Sequence, residues 1–137
     1  MISAIQTALS GLMAASKRVE ASASNIANLQ TVGSLEDANN PPYTPLTVQQ
    51  QSLKGSDGQG FGVKAEFAPK NPAFVPAYEP DSPFANGDGI VGAPNVDLAE
   101  EAANLIIAKA SYKASAAVMK TASEMEDALL RSFDKRI

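Results

Sequence analysis

Apolar and polar positions divide the chain into two helix-like ends and a different middle. Near the N-terminus, apolar or small residues recur in alternating steps of three and four, the heptad spacing that predicts an amphipathic helix. These positions are Ile2, Ile5, Leu9, Leu12, Ser16, Val19, Ala23 and Ile26. We expect this helix to run from Ser3 to about Gln30. Ser3 and Gln6 have the spacing of a capping box, and Gly33 is placed to end the helix.

The C-terminal part repeats this spacing over a longer stretch. Its seam comprises Leu98, Ala102, Leu105, Ala108, Tyr112, Ser115, Met119 and Ala122, then Met125 and Leu129. Asp97 and Glu100 have the spacing of a capping box at a helix start. We expect a helix that begins at Asn95 or Asp97 and continues to Asp134. Three basic residues suit the negative end of its dipole, namely Arg131, Lys135 and Arg136.

The middle of the chain has the alternation of a small β unit. Apolar side chains alternate with polar or small ones over residues 61–67, which predicts a half-buried strand. Leu46–Gln50 predicts a second, weaker strand, and Ser56–Gly58 is expected to form the hairpin turn between the two. Phe74 begins a third, short strand that its flanking prolines would confine to a sheet edge. Residues 80–94 are expected to be extended and rich in turns.

Glycine and proline set the domain organisation. All nine prolines lie between Pro41 and Pro94, and residues 95–137 contain neither Gly nor Pro. Because both residues interrupt helices, we interpret the chain as an N-terminal helical segment (1–33), a small β and extended region (34–94) and a C-terminal helical segment (95–137). The expected fold class is mainly α with a small β insert, in which the two long helices pair as an antiparallel, coiled-coil-like hairpin.

Both predicted helices are rich in small residues, and the C-terminal one contains ten Ala. Small side chains let helix axes approach closely, but each buries little area, and burial contributes only about 25 cal/mol per Å². A long helix with such a thin seam is better stabilised by several neighbours than by one. The sequence therefore favours assembly with other chains.

Composition excludes several functional classes. The 137 residues include no Cys and no His, so disulfides, thiolate nucleophiles and the commonest metal ligand and general base are missing. A net charge of −4 is unfavourable for binding nucleic acid or anionic lipid. No apolar run approaches the roughly 20 residues of a membrane span, and no basic segment precedes the first apolar residues as in a cleaved signal peptide. We expect no catalytic residue, no cofactor, no metal site, no nucleic-acid partner and no membrane insertion.

Three segments with chemically useful residues have simpler interpretations. The glycine-rich run Lys54–Gly62 lacks the Lys-Ser/Thr that follows the glycines of a phosphate loop, so we expect a hairpin. Asp81–Gly89 lacks EF-hand spacing, so we expect a turn rather than a calcium site. The carboxylates of Glu100–Glu101 and Glu124–Asp127 are expected on solvated helix faces rather than in a catalytic pair. A Ser–Lys nucleophile is marked by no motif and stays open.

Several strings resemble a known family. Ala8–Arg18 and Ala23–Gly33, whose core is Asn-x-Ala-Asn-x-x-Thr-x-Gly, resemble the N-terminal signature of bacterial flagellar axial proteins, which are rod, hook and hook-associated proteins. Later strings and the short length are similar to the proximal-rod members in order and spacing, namely Tyr78–Pro83, Asn86–Gly89, Pro94–Leu98 and Ala110–Ser115. Ser34–Asn40 departs from the family as an additional loop, and Leu29 stands where a short polar residue is usual.

The resemblance implies a structural subunit of the proximal rod, the part of the flagellar basal body that transmits torque through the periplasm, and not an enzyme. It implies export by the flagellar type III apparatus without a cleaved signal peptide. The partners implied are copies of the same chain, other rod proteins, the base of the basal body and the export gate. The residues expected at the assembly interface are Ile2, Ile5, Leu9, Leu12, Val19, Asn25, Ile26, Asn28, Leu98, Leu105, Tyr112, Met119, Met125 and Leu129.

Two alternatives remain open at this point. The chain could be another short flagellar rod subunit, although the strings between Tyr78 and Leu98 argue against it. It could also be a soluble coiled-coil adaptor or export chaperone, which would form a stable helical dimer and would not polymerise. An enzyme that uses a metal in the Asp81–Asp88 loop is the least favoured interpretation.

Overall fold

The computed structural model describes residues 2–55, 58 and 60–134. Its elements, in chain order, are α1 (Ile2–Ala27), β1 (Leu46–Lys54), β2 (Gly60–Pro69), β3 (Phe74–Tyr78), β4 (Ile90–Pro94) and α2 (Leu98–Asp134). The strands form two separate two-stranded antiparallel sheets, β1–β2 and β3–β4. Two long terminal helices with a small β region between them confirm the predicted fold class in its broad form.

The two helix starts differ in how well they follow the predicted caps. Asp97 caps α2 as predicted, because its Oδ1 accepts a hydrogen bond from the Ala99 amide at 2.8 Å. Glu100 binds Lys70 at 2.7 Å instead of reaching back to the cap. The prediction of a capping box at Ser3 is wrong, since α1 already begins at Ile2 and Ser3 lies inside its first turn.

α1 ends at Ala27, earlier than predicted. The Asn28 side-chain amide donates to the Ser24 carbonyl at 2.9 Å, so it competes for an acceptor that the helix backbone also uses. The chain then turns, and the Leu29 amide bonds to the Ile26 carbonyl at 3.3 Å. Gly33 therefore lies well beyond the helix, and its predicted role as a helix stop is wrong.

β1 and β2 form the predicted hairpin, with Leu46 opposite Pro69 and Lys54 opposite Gly60. The register of the two strands shifts between Leu53 and Lys54, close to the end of the hairpin. The predicted Ser56–Gly58 turn includes residues that lie outside those described. The hairpin confirms the simpler interpretation of the glycine-rich run Lys54–Gly62.

The second sheet contains a strand that the sequence analysis did not identify as one. β4 pairs with β3, and Pro76 lies opposite Gly92. The Gly92 amide and carbonyl point away from β3. The amide donates to the Gly33 carbonyl at 2.8 Å, and the carbonyl accepts from the Gly33 amide at 3.0 Å. Pro76 has no amide hydrogen, and it sits where β4 requires no hydrogen bond from it.

The Ser34–Asn40 loop closes on itself. The Ser34 amide bonds to the Asn40 carbonyl at 2.8 Å, and the Ser34 hydroxyl accepts from the Asp37 amide at 3.0 Å. The Asn39 amide donates to the Asp37 carboxylate, and this bond, followed by those from the side chains of Asn40 and Asn39, lowers the Asp37 pKa from its ordinary value. Local polar bonds thus hold this loop.

The two helices pack through small side chains. Gly11 of α1 lies against Ser115 of α2, and Asn25 of α1 bonds to Glu101 of α2, so the contacts run in opposite order along the two helices. A β-carbon on Gly11 would lie 2.6 Å from the Ser115 hydroxyl oxygen, which shows how closely the backbones approach. The buried apolar residues of the two helices are Ala8, Ala14, Ala15, Ala21, Ala108 and Ala122.

Replacing Gly33 by Ala tests the close packing of the chain after α1 against Pro41 and Pro42. A β-carbon there would overlap the backbone of Pro41 and Pro42, which cannot rotate away. We expect Gly33→Ala to lower the free energy of unfolding by about 2 kcal/mol or more, measured by urea denaturation. Gly87→Ala is the matched control because a β-carbon at Gly87 meets no atom within 4 Å. Equal stabilities of the two variants would contradict the close contact.

Candidate assembly interface

Asn25 joins three elements through one buried side chain. Its Nδ2 donates to the Leu46 carbonyl at 2.8 Å and to Glu101 Oε1 at 2.6 Å. Its Oδ1 accepts from the Leu46 amide at 2.8 Å and from the Tyr43 hydroxyl at 3.1 Å. Every donor and acceptor position of the amide is used, and the residue is 1 % exposed. Asn25, predicted at the assembly interface, therefore lies inside the chain, where it fixes the helices and the hairpin.

The partners of Asn25 are themselves held in place. The Ser24 and Tyr43 hydroxyls lie 2.9 Å apart, so Tyr43 bonds to two consecutive residues of α1. Glu101 is 4 % exposed and lies in the first turn of α2, near the positive end of the helix dipole. The expectation that its carboxylate lies on a solvated helix face is therefore wrong. The end of α1 and the start of α2 are thus joined by a cluster of hydrogen-bonded polar side chains.

A second set of polar side chains fixes the β1–β2 hairpin along α1. The Ser10 hydroxyl accepts from the Val63 amide at 3.1 Å. Lys17 donates to the Ala65 carbonyl at 2.8 Å, and its ammonium lies 5.3 Å from the centre of the Phe67 ring. Ser10, Lys17 and Ser24 follow one another at intervals of seven, so they share one face of α1. The sequence analysis missed this face, although its polar heptad was the signal that marked it.

The larger apolar residues of α1 lie beside its contact with α2 rather than at the centre of that contact. The outer apolar seam of α1, defined as Ile5, Leu9, Leu12, Val19 and Ile26, is centred about a third of a turn from the buried alanines, counted at about 100° per residue. Leu9 is 47 % exposed and Val19 is also exposed, whereas the other three are half-buried. Asn28 is half-buried just after the helix, and Ile2 begins α1. The α1 seam therefore borders the helix pair instead of filling it.

On α2, the predicted interface residues divide between the two surfaces of the helix. Leu105 and Met119 are half-buried and alternate with Ala108 and Ala122 on the side that packs against α1. The other predicted residues are exposed, namely Leu98, Tyr112, Met125 and Leu129. The sequence analysis did not include several further exposed apolar residues, which are Met13 on α1 and Ile106, Ile107, Val118, Leu130 and Phe133 on α2.

α2 continues beyond the start of α1. Ala122 is the last buried residue of α2, and every described residue after it is exposed. We call residues 123–134 the C-terminal extension. It exposes four large apolar side chains, Met125, Leu129, Leu130 and Phe133. Contiguous apolar surface of this kind marks a site of association in soluble proteins.

The other segments weighed for chemistry form ordinary structure. In the Asp81–Gly89 turn, the Asn86 side-chain oxygen accepts from the amides of Asp88 and Ile90 at 3.0 and 2.9 Å. Glu124 pairs with Lys120 on the exposed surface of α2 at 3.7 Å. Within the described ranges, no group of three or more acidic residues is placed to hold a metal ion, and no helix has the length and hydropathy of a membrane span.

Two parts of the chain match known protein families. Residues 5–33 match the family described as "Flagella basal body rod protein", and residues 88–132 match "Flagellar basal body rod FlgEFG protein C-terminal". The flagellar basal-body rod protein FlgC of Salmonella typhimurium strain LT2 is 34% identical over 118 residues, which cover 85% of each chain. The chain belongs to the FlgC family. FlgC of Escherichia coli O6:H1 is 33% identical over 117 residues, covering 85% of each chain. FlgC of Bacillus subtilis strain 168 is 29% identical over 135 residues, covering 88% of this chain and 90% of the relative.

The two family matches coincide with the helical parts of the structure. The first covers most of α1 and ends at Gly33, and the second begins just before β4 and covers most of α2. The motif core from Asn25 to Gly33 therefore has a structural explanation in this FlgC-family chain. Asn25 fixes three elements, Asn28 ends α1, and Gly33 pairs with β4.

Replacing Asn25 by Asp tests the polar cluster. The new carboxylate would face Glu101 and would no longer donate to it or to Leu46. We expect Asn25→Asp to lower the free energy of unfolding by about 2–4 kcal/mol in urea denaturation at neutral pH. Adding Glu101→Gln should recover part of the loss, because a Gln amide can donate to the new Asp. If Asn25→Asp had the same free energy of unfolding as the wild type, the role assigned to the Asn25 side chain would be wrong.

Proposed function

We propose that this chain is a structural subunit of the proximal rod of the bacterial flagellar basal body and that it is not an enzyme. Membership of the FlgC family is the observation that carries the proposal. The distribution of apolar residues supports it independently. Alanines fill the contact between the helices, while large apolar side chains such as Leu9, Tyr112 and Phe133 remain exposed.

That distribution explains why assembly would stabilise the subunit. An isolated chain leaves these side chains in water, and burial of each gains about 1.5–3 kcal/mol when it is complete. In the proposal, the α1 seam and the exposed residues of α2 pack against neighbouring subunits. The coiled-coil-like contacts expected from the heptads then form within the assembled shaft. Among the predicted interface residues, the exposed ones are those we assign to these contacts, namely Leu9, Val19, Leu98, Tyr112, Met125 and Leu129.

The mechanical role follows from the shape of the elements. α1 has 26 residues and α2 has 37, so their lengths are about 39 and 55 Å. Within each helix, backbone hydrogen bonds run parallel to the axis and resist stretching and twisting. We place the helical segments 1–33 and 95–137 in the shaft that transmits torque and the β region 34–94 on its outer side.

The same proposal covers location and partners. The subunit would reach the periplasm through the flagellar type III export apparatus, without a cleaved signal peptide. There it would contact copies of itself, other rod proteins, the base of the basal body and the export gate. The relatives' names, which identify them as basal-body rod proteins, support this location.

Deletion of the gene in its host tests the proposal as a whole. We expect electron cryotomography to show the inner-membrane ring without rod or hook, and we expect the wild-type gene to restore swimming. Complete flagella in the deletion strain would refute the proximal-rod role. A purified chain that forms a stable dimer and never polymerises would favour the adaptor alternative.

Leu9 provides a test of the α1 seam that leaves the monomer fold intact. Leu9→Glu places a charge on a half-exposed position, and Glu forms helices well, so the free energy of unfolding of the monomer should change by less than about 1 kcal/mol. We expect it to abolish swimming in the deletion strain because the charge would be buried between subunits. Leu9→Met, which keeps the apolar area, should swim. Normal swimming of Leu9→Glu would remove Leu9 from the interface.

A further inference from the structure

A polar cavity lies beside the Asn25 cluster, where α1, the β1–β2 hairpin and the start of α2 meet. We call it the junction cavity. Its volume is about 350 Å³, which is within the range of small-molecule sites. Arg18 and Ser22 of α1 line it together with Glu101 and Asn104 of α2. The assembly contacts proposed above do not use these four residues, so the cavity has no role in them.

Two oxygen atoms of buried side chains face the junction cavity without a hydrogen-bond partner. Ser22 is 2 % exposed, and its hydroxyl bonds to none of the described residues. Glu101 is 4 % exposed, and only its Oε1 is bonded, to Asn25. Among the described residues, every fully enclosed polar side-chain atom has a partner, so the Ser22 hydroxyl and Glu101 Oε2 open into the cavity that both residues line. Leaving such atoms unpaired is costly, which favours a bound molecule that completes both of them.

The charged groups around the cavity leave one cation and one anion without an ion pair. Lys70 and Glu100 also line the cavity, and they neutralise each other at 2.7 Å. Arg18 is half-buried, and neither Arg18 nor Glu101 forms an ion pair with another described residue. Arg18 and Ser22 are four residues apart on α1, so their β-carbons lie about 5–6 Å apart on one face. Acceptors for a cation therefore lie about one helical turn from a guanidinium, which binds carboxylates well.

We propose that the junction cavity binds a free α-amino acid. The ammonium group of the ligand donates to Glu101 Oε2 and to the Ser22 hydroxyl, and its carboxylate accepts from the Arg18 guanidinium. A molecule with both charges on one carbon satisfies the two ends of the cavity together. An amine or a carboxylate alone would leave one of the buried or half-buried charges without a partner.

The rest of the lining indicates which side chain the ligand carries. Ala21, Val48 and Pro69 provide apolar surface in the cavity. Burial of an aliphatic side chain against them is favourable, so L-valine should bind more tightly than glycine. The Asn104 amide, which bonds to none of the described side chains, supplies a further acceptor for the ammonium group.

Titration calorimetry with three related molecules tests the class of ligand. L-Valine carries both charges, isobutylamine is valine without its carboxylate, and isovalerate is valine without its ammonium group. We expect the purified chain to bind L-valine with a dissociation constant of about 1 mM or below, and each fragment at least tenfold more weakly, because it loses one charged contact. Failure of L-valine to bind would overturn the proposal, as would equal affinity for either fragment.

Two substitutions locate the site. Ser22→Ala and Arg18→Met each remove one contact and keep a residue that forms helices well. We expect each to weaken L-valine binding at least tenfold, while Arg18→Met leaves the affinity for isobutylamine unchanged because the amine does not use the guanidinium. Ser16→Ala and Arg131→Met are the matched controls, since neither residue lines the junction cavity, and both should bind L-valine as the wild type does. Unchanged L-valine affinity in both Ser22→Ala and Arg18→Met would overturn the assigned site.

Urea denaturation separates loss of binding from loss of fold. Saturating L-valine should raise the urea concentration at which the wild type unfolds, because the ligand binds only the folded chain. The Ser22→Ala and Arg18→Met variants should keep the wild-type midpoint without ligand and lose this increase. If either variant fails to fold, the three-ligand series on the wild type decides the question. Because all of these measurements use the purified chain, their outcome is independent of the proposed role in the rod.

Discussion

The hydrogen bonds of Asn25 fix where the two ends of the chain meet, and the rest of the structure depends on that position. The amide bonds to the backbone of Leu46 through both of its atoms and to the Glu101 carboxylate. The bond to Glu101 is buried and the bonds to Leu46 are partly buried, so breaking the cluster would leave the polar atoms of Asn25 without partners inside the protein. The cluster holds the last turns of α1 against the first turn of α2. Since α2 is the longer helix, its surplus length appears at the far end as the C-terminal extension.

The second constraint is the size of the side chains between the helices. Gly11 and the buried alanines let the two backbones approach closely, and the fully buried apolar side chains of the two helices are all alanines. The leucines and isoleucines of the same helices are half-buried at the border of this contact or exposed on the outer surfaces. In most small domains the largest apolar side chains form the core. In this FlgC-family chain the arrangement is reversed, which suits a subunit whose main apolar contacts form with other subunits.

The hairpin adds rigidity without adding a large core. Ser10 and Lys17 bond to backbone groups of β2, and Lys70, the residue after β2, pairs with Glu100 on α2. These bonds connect the middle of the chain to both helices. The second sheet is tied to the segment after α1 through Gly33 and Gly92. The β region is therefore fixed to the helix pair at several separate points.

Local features of the structure were predictable from the sequence because neighbouring residues determine them. The cap at Asp97 depends on an amide two residues away. The β1–β2 hairpin depends on a short connection between two strands in which apolar and polar residues alternate. β4 and the true role of Gly33 were not predictable in this way. They depend on a pair of backbone hydrogen bonds between Gly33 and Gly92, which are far apart in sequence and carry no side chain that marks the pairing. The same is true of the Asn25 cluster, in which Leu46 and Glu101 come from distant segments.

The sequence by itself determined that the chain has two long helices, and its heptads determined which residues share a face of each. Periodicity cannot say which face turns inward, because a helix with large residues on one stripe and small residues on another can pack through either. Only the tertiary structure decided this for α1. The Asn25 cluster and the bonds to the hairpin orient the helix about its axis, and the small stripe then meets α2. That orientation leaves the outer apolar seam, which the heptads had identified, at the border of the pair, where a neighbouring subunit can cover it.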